Sequence, residues 1–140
     1  MHADNYCFDT LDAFLSAHQR RPNDTVLSMV TFTTETPEKC GIVEVDECNR
    51  LTSFYEKQKS SPTNRANAAV YIASKSFFSK LKKLKPEPRD ISCDIIPALT
   101  KKIFCHHTNL YFEDIGTEVS LDQANEITSK INRELLGDRL

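Results

Sequence analysis

Gly41 to Lys57 reads GIVEVDECNRLTSFYEK, and the fold turns on how that stretch is read. GIVEVD and LTSFYEK are short and rich in β-forming residues, and Glu47-Cys48-Asn49-Arg50 between them is a four-residue polar turn. Two such stretches around such a turn predict a β-hairpin. A hairpin joins antiparallel strands, which argues against an all-parallel sheet. Upstream, VLSMVTF (26–32) is mostly apolar and reads as a buried strand, followed by a polar loop with a proline over 33–40. Downstream, 58–66 is a polar loop. NAAVYIA (67–73) is a continuous run of small and β-branched residues, expected as a strand covered on both faces. IFCHH (103–107) and LYFED (110–114) read as two further strands joined at Thr108-Asn109.

Helical spacing separates these strands. Leu11, Phe14, Leu15 and His18 recur at that spacing, predicting an inward face for a helix that starts near Asp9 or Thr10 and ends before Pro22. Ser74 is placed to cap a second helix, with Phe77, Phe78, Leu81 and Leu84 on one side and Pro86 and Pro88 as its stop. Asp90 or Ser92 begins a third, with Ile91, Ile95, Ile96 and Leu99 inward and Pro97 imposing a kink or an early first turn. The last helix is expected from about Glu118, with Ser120 and Gln123 as a capping box and Leu121, Ala124, Ile127, Ile131 and Leu135 as its stripe. Strands alternating with helices predict an α/β domain around a mixed sheet.

The chain has 140 residues, enough for one domain with a core. Its 39% hydrophobic and 27% charged residues describe an ordinary globular protein. A net charge of −2 argues against a general nucleic-acid binder. No apolar run approaches the length that spans a bilayer, and the N-terminus lacks the layout of a signal peptide. Five cysteines without a Cys-x-x-Cys pair argue against a disulfide framework and for a reducing cytoplasm. With three glycines, Gly41, Gly116 and Gly137, the chain holds no Gly-rich phosphate loop.

Four groups could carry chemistry: Asp4-Asn5, Glu56-Lys57, Asn67, and Glu113-Asp114-Ile115-Gly116-Thr117. In an α/β sheet ligands gather beyond strand ends. Asp4 and Asp114 could share one Mg²⁺, which is satisfied by one or two carboxylates with water and phosphates. Lys57 would offer a point charge to a phosphate, Asn67 a hydrogen bond to a sugar hydroxyl, and Gly116 a sharp backbone turn behind Asp114. Each also has a plainer reading. Asp and Asn at strand ends form turns, Glu-Lys pairs are solvated, and Asp-Ile-Gly-Thr is a strand-to-helix connector capped by Thr117. Cys105-His106-His107 matches no common zinc spacing, and Lys80, Lys82, Lys83 and Lys85 suit a helix C-terminus.

Taken in order, HADN (2–5), MVTFTTETPEKCGIVEVDECNRLTSFYEK (29–57), NAAVYI (67–72), DISCDIIPAL (90–99) and YFEDIGTEVSLDQAN (111–125) give the chain a wider likeness. It resembles the sugar-phosphate nucleotidyltransferases, with the flavour of mannose- or heptose-1-phosphate guanylyltransferases. The resemblance implies an incomplete Rossmann-like fold, with residues 1–140 forming a single partial domain, the sugar- and metal-binding half. It implies that Asp4 and Asp114 hold Mg²⁺ and that Gly41 lies against the sugar. Glu56 and Lys57 would contact the sugar hydroxyls and phosphate, and Asn67 would open the strand lining the pocket. The partners implied are a sugar 1-phosphate and a nucleoside triphosphate, with neither nucleic acid nor membrane.

Members of that family often have Gly where Ala69 stands here, which would narrow the pocket by one methyl, and Pro where Gln58 stands. They also carry an upstream GGxGTRL loop, followed by a lysine, that holds the nucleotide phosphates and base, and this chain has neither that loop nor the strands around it. The expectation is a C-terminal part of a longer or split enzyme. It would be inactive as a transferase when isolated and prone to self-association through an exposed sheet edge. The alternative expectation is a non-catalytic sugar-phosphate-binding or regulatory module.

Overall fold

The computed structural model describes residues 4–7 and 11–137, with side chains through 133. In chain order the elements are β1 (Asn5–Cys7), α1 (Leu11–Gln19), β2 (Leu27–Thr33), a 3₁₀ turn at Pro37–Lys39, β3 (Gly41–Val45), β4 (Leu51–Glu56) and β5 (Arg65–Ala73). There follow α2 (Lys75–Leu81), a wide π-helical turn at Ile91–Ile95 running into α3 (Ile96–Ala98), β6 (Ile103–His107), β7 (Phe112–Asp114) and α4 (Glu118–Gly137).

The hairpin forms, with Gly41 opposite Glu56 at one end and Val45 opposite Leu51 at the other. Asp46 builds its turn: Oδ1 accepts the backbone N–H groups of Cys48 (2.9 Å) and Arg50 (2.8 Å), so the carboxylate stands in for a backbone acceptor. Asn49 takes the left-handed conformation that closes the turn, at φ 57°. The tip then bends onto β6, where the Cys105 N–H donates to Asn49 O at 2.8 Å.

Five strands make the main sheet in the order β4-β3-β5-β2-β6. β6 runs parallel to β2 while the other neighbours are antiparallel, so the sheet is mixed, as the hairpin required. One face packs Met29, Val43, Leu51 and Ile103 against Ile96 and Leu99 of the 91–99 segment. The other packs Val30, Ala68 and Val70 against Phe14 of α1. Burying one large aliphatic side chain of this kind contributes about 1.5–3 kcal/mol.

Several local expectations are corrected. β7 lies outside the five-stranded sheet. It leaves to pair antiparallel with β1, Asn5 opposite Asp114, and Phe112 anchors it to the sheet by a ring contact with Phe32 at 4.3 Å. Of the face expected for α1, Phe14 is buried but Leu11 and Leu15 point outward, 75% and 45% exposed; Asp9 and Thr10 lie outside the described residues. β5 buries alternate residues rather than both faces. Ser74 stands at the N-cap of α2, but its hydroxyl makes no capping bond and donates instead to Val26 O at 2.9 Å. Phe78 on α2 and Ile91 face solvent. α4 is capped by Thr117, whose Oγ1 accepts the Ser120 N–H at 3.1 Å. Ala124 is the buried member of the α4 stripe and Leu121 stays 43% exposed, while the Leu135 side chain lies outside the described part.

Candidate functional site

The β1–β7 ladder brings Asp4 and Asp114 together. Asn5 stands opposite Asp114, and Asp4 O accepts the Ile115 N–H at 2.7 Å, so the chain leaving β7 is tied to the residue entering β1. A β-carbon on Gly116 would sit 3.0 Å from Asp114 Oδ1 and 3.4 Å from Asp4 Oδ2. Both carboxylates thus reach one point over the glycine, and both residues are exposed. Gly116 serves by having no side chain, and its φ is not in the left-handed region. Its N–H donates to Asp114 Oδ1 at 3.0 Å and orients that carboxylate.

This corner fits a hard divalent ion of the Mg²⁺ type, which uses one or two carboxylates and fills its shell with water and phosphate oxygens. It would not suit an ion needing a full protein cage, since no group of three acidic, His or Cys ligands occurs among the described residues. Cys105 and His107 form no centre either. The Cys105 thiol is buried in the core, its pKa pushed up to about 12 chiefly by burial. His107 lies against the Thr31 and Thr33 hydroxyls at 3.3 and 3.5 Å.

The second part of the site is the open end of the hairpin. Gly41 is buried beneath Glu56: a β-carbon there would lie 2.8 Å from Glu56 Oε2 and 2.5 Å from Phe54 Cζ. Gly41 therefore admits these two side chains over its backbone. Lys57 follows with φ 47°, its N–H donating to Cys40 O at 3.1 Å and its side chain exposed. Burial pushes the neighbouring Cys40 thiol up, against a bond to Thr34; the Glu38 and Glu56 charges push the same way and Lys57 opposes them.

β5 joins the two parts. Ile42, next to Gly41, pairs with Ala66, next to Asn67. Met29 pairs with Tyr71 and Thr31 with Asn67, so Ala68, Ala69 and Val70 bulge opposite the single Val30. Ala69 takes φ 53°, where a glycine would be unstrained. Asn67 holds the bulge: its Oδ1 accepts the Ala69 N–H at 3.0 Å, and its Nδ2 donates to the Tyr71 hydroxyl at 2.7 Å. The amide expected to meet a sugar is therefore already engaged on both atoms. Sequence reasoning missed Tyr71, whose phenol is pushed up by burial, against the Asn67 bond and with the Glu56 and Asp90 charges nearby. Its signal was its place four residues after Asn67, on the same strand face.

These features, a mixed α/β sheet with two acids meeting at a strand end beside a bulged strand and hairpin, define a class that comparison identifies. The family model for nucleotidyl transferases matches residues 1–131, and the chain belongs to that family. Among curated proteins it is similar to glucose-1-phosphate adenylyltransferase of Lachnospira eligens, 31% identical over 116 residues, covering 79% of this chain and 27% of that protein. It is also similar to mannose-1-phosphate guanylyltransferase of Mycobacterium tuberculosis, 28% identical over 113 residues, covering 76% of this chain and 30% of that protein. Among solved structures, a candidate glucose-1-phosphate thymidylyltransferase from Bacillus anthracis, in complex with sucrose, superposes with TM-score 0.73 at 22% identity, covering 89% of this chain and 51% of that one. The chain thus spans about a third of the length of the curated relatives it matches and about half of the matched structure.

Proposed function

We propose that these residues form the sugar-phosphate- and metal-binding part of a sugar-1-phosphate nucleotidyltransferase, which makes a nucleoside-diphosphate sugar and pyrophosphate. The observation that carries this reading is the meeting of Asp4 and Asp114 over Gly116, two acids 110 positions apart in a chain of this family. In the reaction a phosphate oxygen of the sugar 1-phosphate attacks the α-phosphorus of the nucleoside triphosphate and pyrophosphate departs. Protein groups contribute mainly by alignment and charge.

Lys57 holds the sugar phosphate as a mobile point charge. Glu56 accepts hydrogen bonds from sugar hydroxyls across the bare backbone of Gly41. The Tyr71 hydroxyl, which accepts from Asn67, keeps its own O–H to donate to the sugar. Asn67 holds Tyr71 and the bulge, and its second amide N–H reaches for a sugar hydroxyl. Asp4 and Asp114 would hold Mg²⁺, which supplies neutralising charge to the phosphates.

No Gly-rich loop occurs in the 140 residues, so the triphosphate cradle has to come from residues outside them. Without that cradle the reactants are not aligned, a loss of about 7–11 kcal/mol of barrier reduction, and these residues alone bind sugar phosphate without turnover. Five free thiols suit a reducing compartment, the cytoplasm. No described helix is long and apolar enough to cross a membrane.

Calorimetry with glucose 1-phosphate and mannose 1-phosphate tests the reading. The wild type binds one of them, and Lys57→Ala weakens that binding by about 1.5–3 kcal/mol, the range for a hydrogen bond to a charged group. Equal heats from wild type and variant would remove Lys57 from the phosphate site.

A further inference from the structure

We propose that Asn5 is a positioning residue that sets the spacing between the two-acid corner and the sugar-contacting strand. The inference rests on the reading of Asp4 and Asp114 as the metal corner and of the hairpin and β5 as the sugar wall. The bulge creates the need for such a residue. Ala68 is 1% exposed and lies in the bulge, where three residues oppose one. A buried carbonyl requires a partner. Asn5 supplies it: Nδ2 donates to Ala68 O at 2.8 Å, across 63 positions of sequence.

The same residue pairs through its backbone with Asp114 and directly follows Asp4. One side chain therefore ties the short β1–β7 sheet, which carries both acids, to the bulge that Asn67 grips from its other side at the Ala69 N–H. The β1–β7 ladder holds the acids to each other without the Asn5 amide. What the amide fixes is their place against β5. Its loss leaves each site able to bind and misaligns the two.

Mn²⁺ and glucose 1-phosphate are the probes. In the wild type, bound Mn²⁺ broadens the ³¹P line of bound glucose 1-phosphate, an effect that falls with the sixth power of their separation. Each ligand also tightens the other by the same factor, about tenfold. In Asn5→Ala each ligand alone binds as in the wild type, while the mutual tightening disappears and the ³¹P broadening at matched occupancy falls several-fold. Asn5→Gln, whose amide reaches Ala68 O from one methylene farther, recovers part of both and carries the test if Asn5→Ala does not fold.

A folded Asn5→Ala, or in its place Asn5→Gln, with undiminished coupling and broadening overturns the proposal and makes Asn5 a structural tie only. A wild type that binds both ligands without coupling overturns it too. A wild type that binds neither sinks the functional reading as well, and so separates that failure from this one.

Discussion

Gly41 and Gly116 each stand beside carboxylates, and they differ in what a side chain would meet. At Gly41 a β-carbon would press on the Phe54 ring at 2.5 Å and on Glu56 at 2.8 Å, inside a paired hairpin where Gly41 is buried. At Gly116 it would first meet the carboxylates of Asp114 and Asp4, at 3.0 and 3.4 Å, in an exposed connector. The hairpin end is shaped by packing before any ligand arrives. The acid corner is shaped by an opening, held by two three-residue strands. On the proposed reading, a wall that recognises a rigid sugar gains from the first arrangement, and a corner that adjusts to an ion and its waters gains from the second.

Substitution at the two glycines is the strongest way to break that contrast. Gly41→Ala overpacks Phe54 and Glu56 and costs about 1–3 kcal/mol in urea unfolding. Gly116→Ala changes stability by about 0.5 kcal/mol or less, as exposed sites do, yet it crowds both carboxylates and weakens Mn²⁺ binding. Similar stability losses at the two positions would erase the distinction.

The bulge between the regions gives a smaller effect of opposite sign. Ala69→Gly relieves a left-handed conformation at φ 53° and stabilises the protein by about 1 kcal/mol, raising Tm by a few degrees. An unchanged or lower Tm would mean that the bulge is not strained.

The smallest effect comes from histidines. His18 and His107 have pKa values lowered chiefly by burial, with Arg21 adding to it at His18, and Arg65 and His106 at His107. A group whose folded pKa lies below its unfolded one gives stability that is complete above the unfolded value, about 6.5. That stability is lost as pH falls through it, because the unfolded chain takes up the proton first. Tm should therefore decline from pH 8 to pH 5, and less steeply in His107→Asn. Parallel declines in wild type and variant would assign the slope to other groups.

Much of this was legible where the signal is local. The hairpin showed in two β-rich stretches around a polar turn, and the mixed sheet followed from it. Ile95, Ile96 and Leu99 showed as an inward group, and Thr117 as a cap for α4. What the sequence hid depends on partners far away in the chain. Leu11 and Leu15 have the same spacing whether or not a neighbour covers them. β7 reads as a strand, but nothing local says that it leaves β6 for β1. The partners of Asn67, the Ala69 N–H and the Tyr71 hydroxyl, were hidden because they converge only once the strand bulges. The Asn5 bond to Ala68 is a contact of the same kind, invisible until the two sheets meet.

The most direct test of the acid corner is Mn²⁺ titration followed in amide ¹H–¹⁵N spectra of wild type, Asp4→Asn and Asp114→Asn. The account predicts that Mn²⁺ broadens the amides of Asn5, Ile115 and Gly116 in the wild type before others, and that either substitution weakens binding by about tenfold or more. Broadening centred elsewhere, or unchanged by both substitutions, would contradict the claim that Asp4 and Asp114 hold one ion.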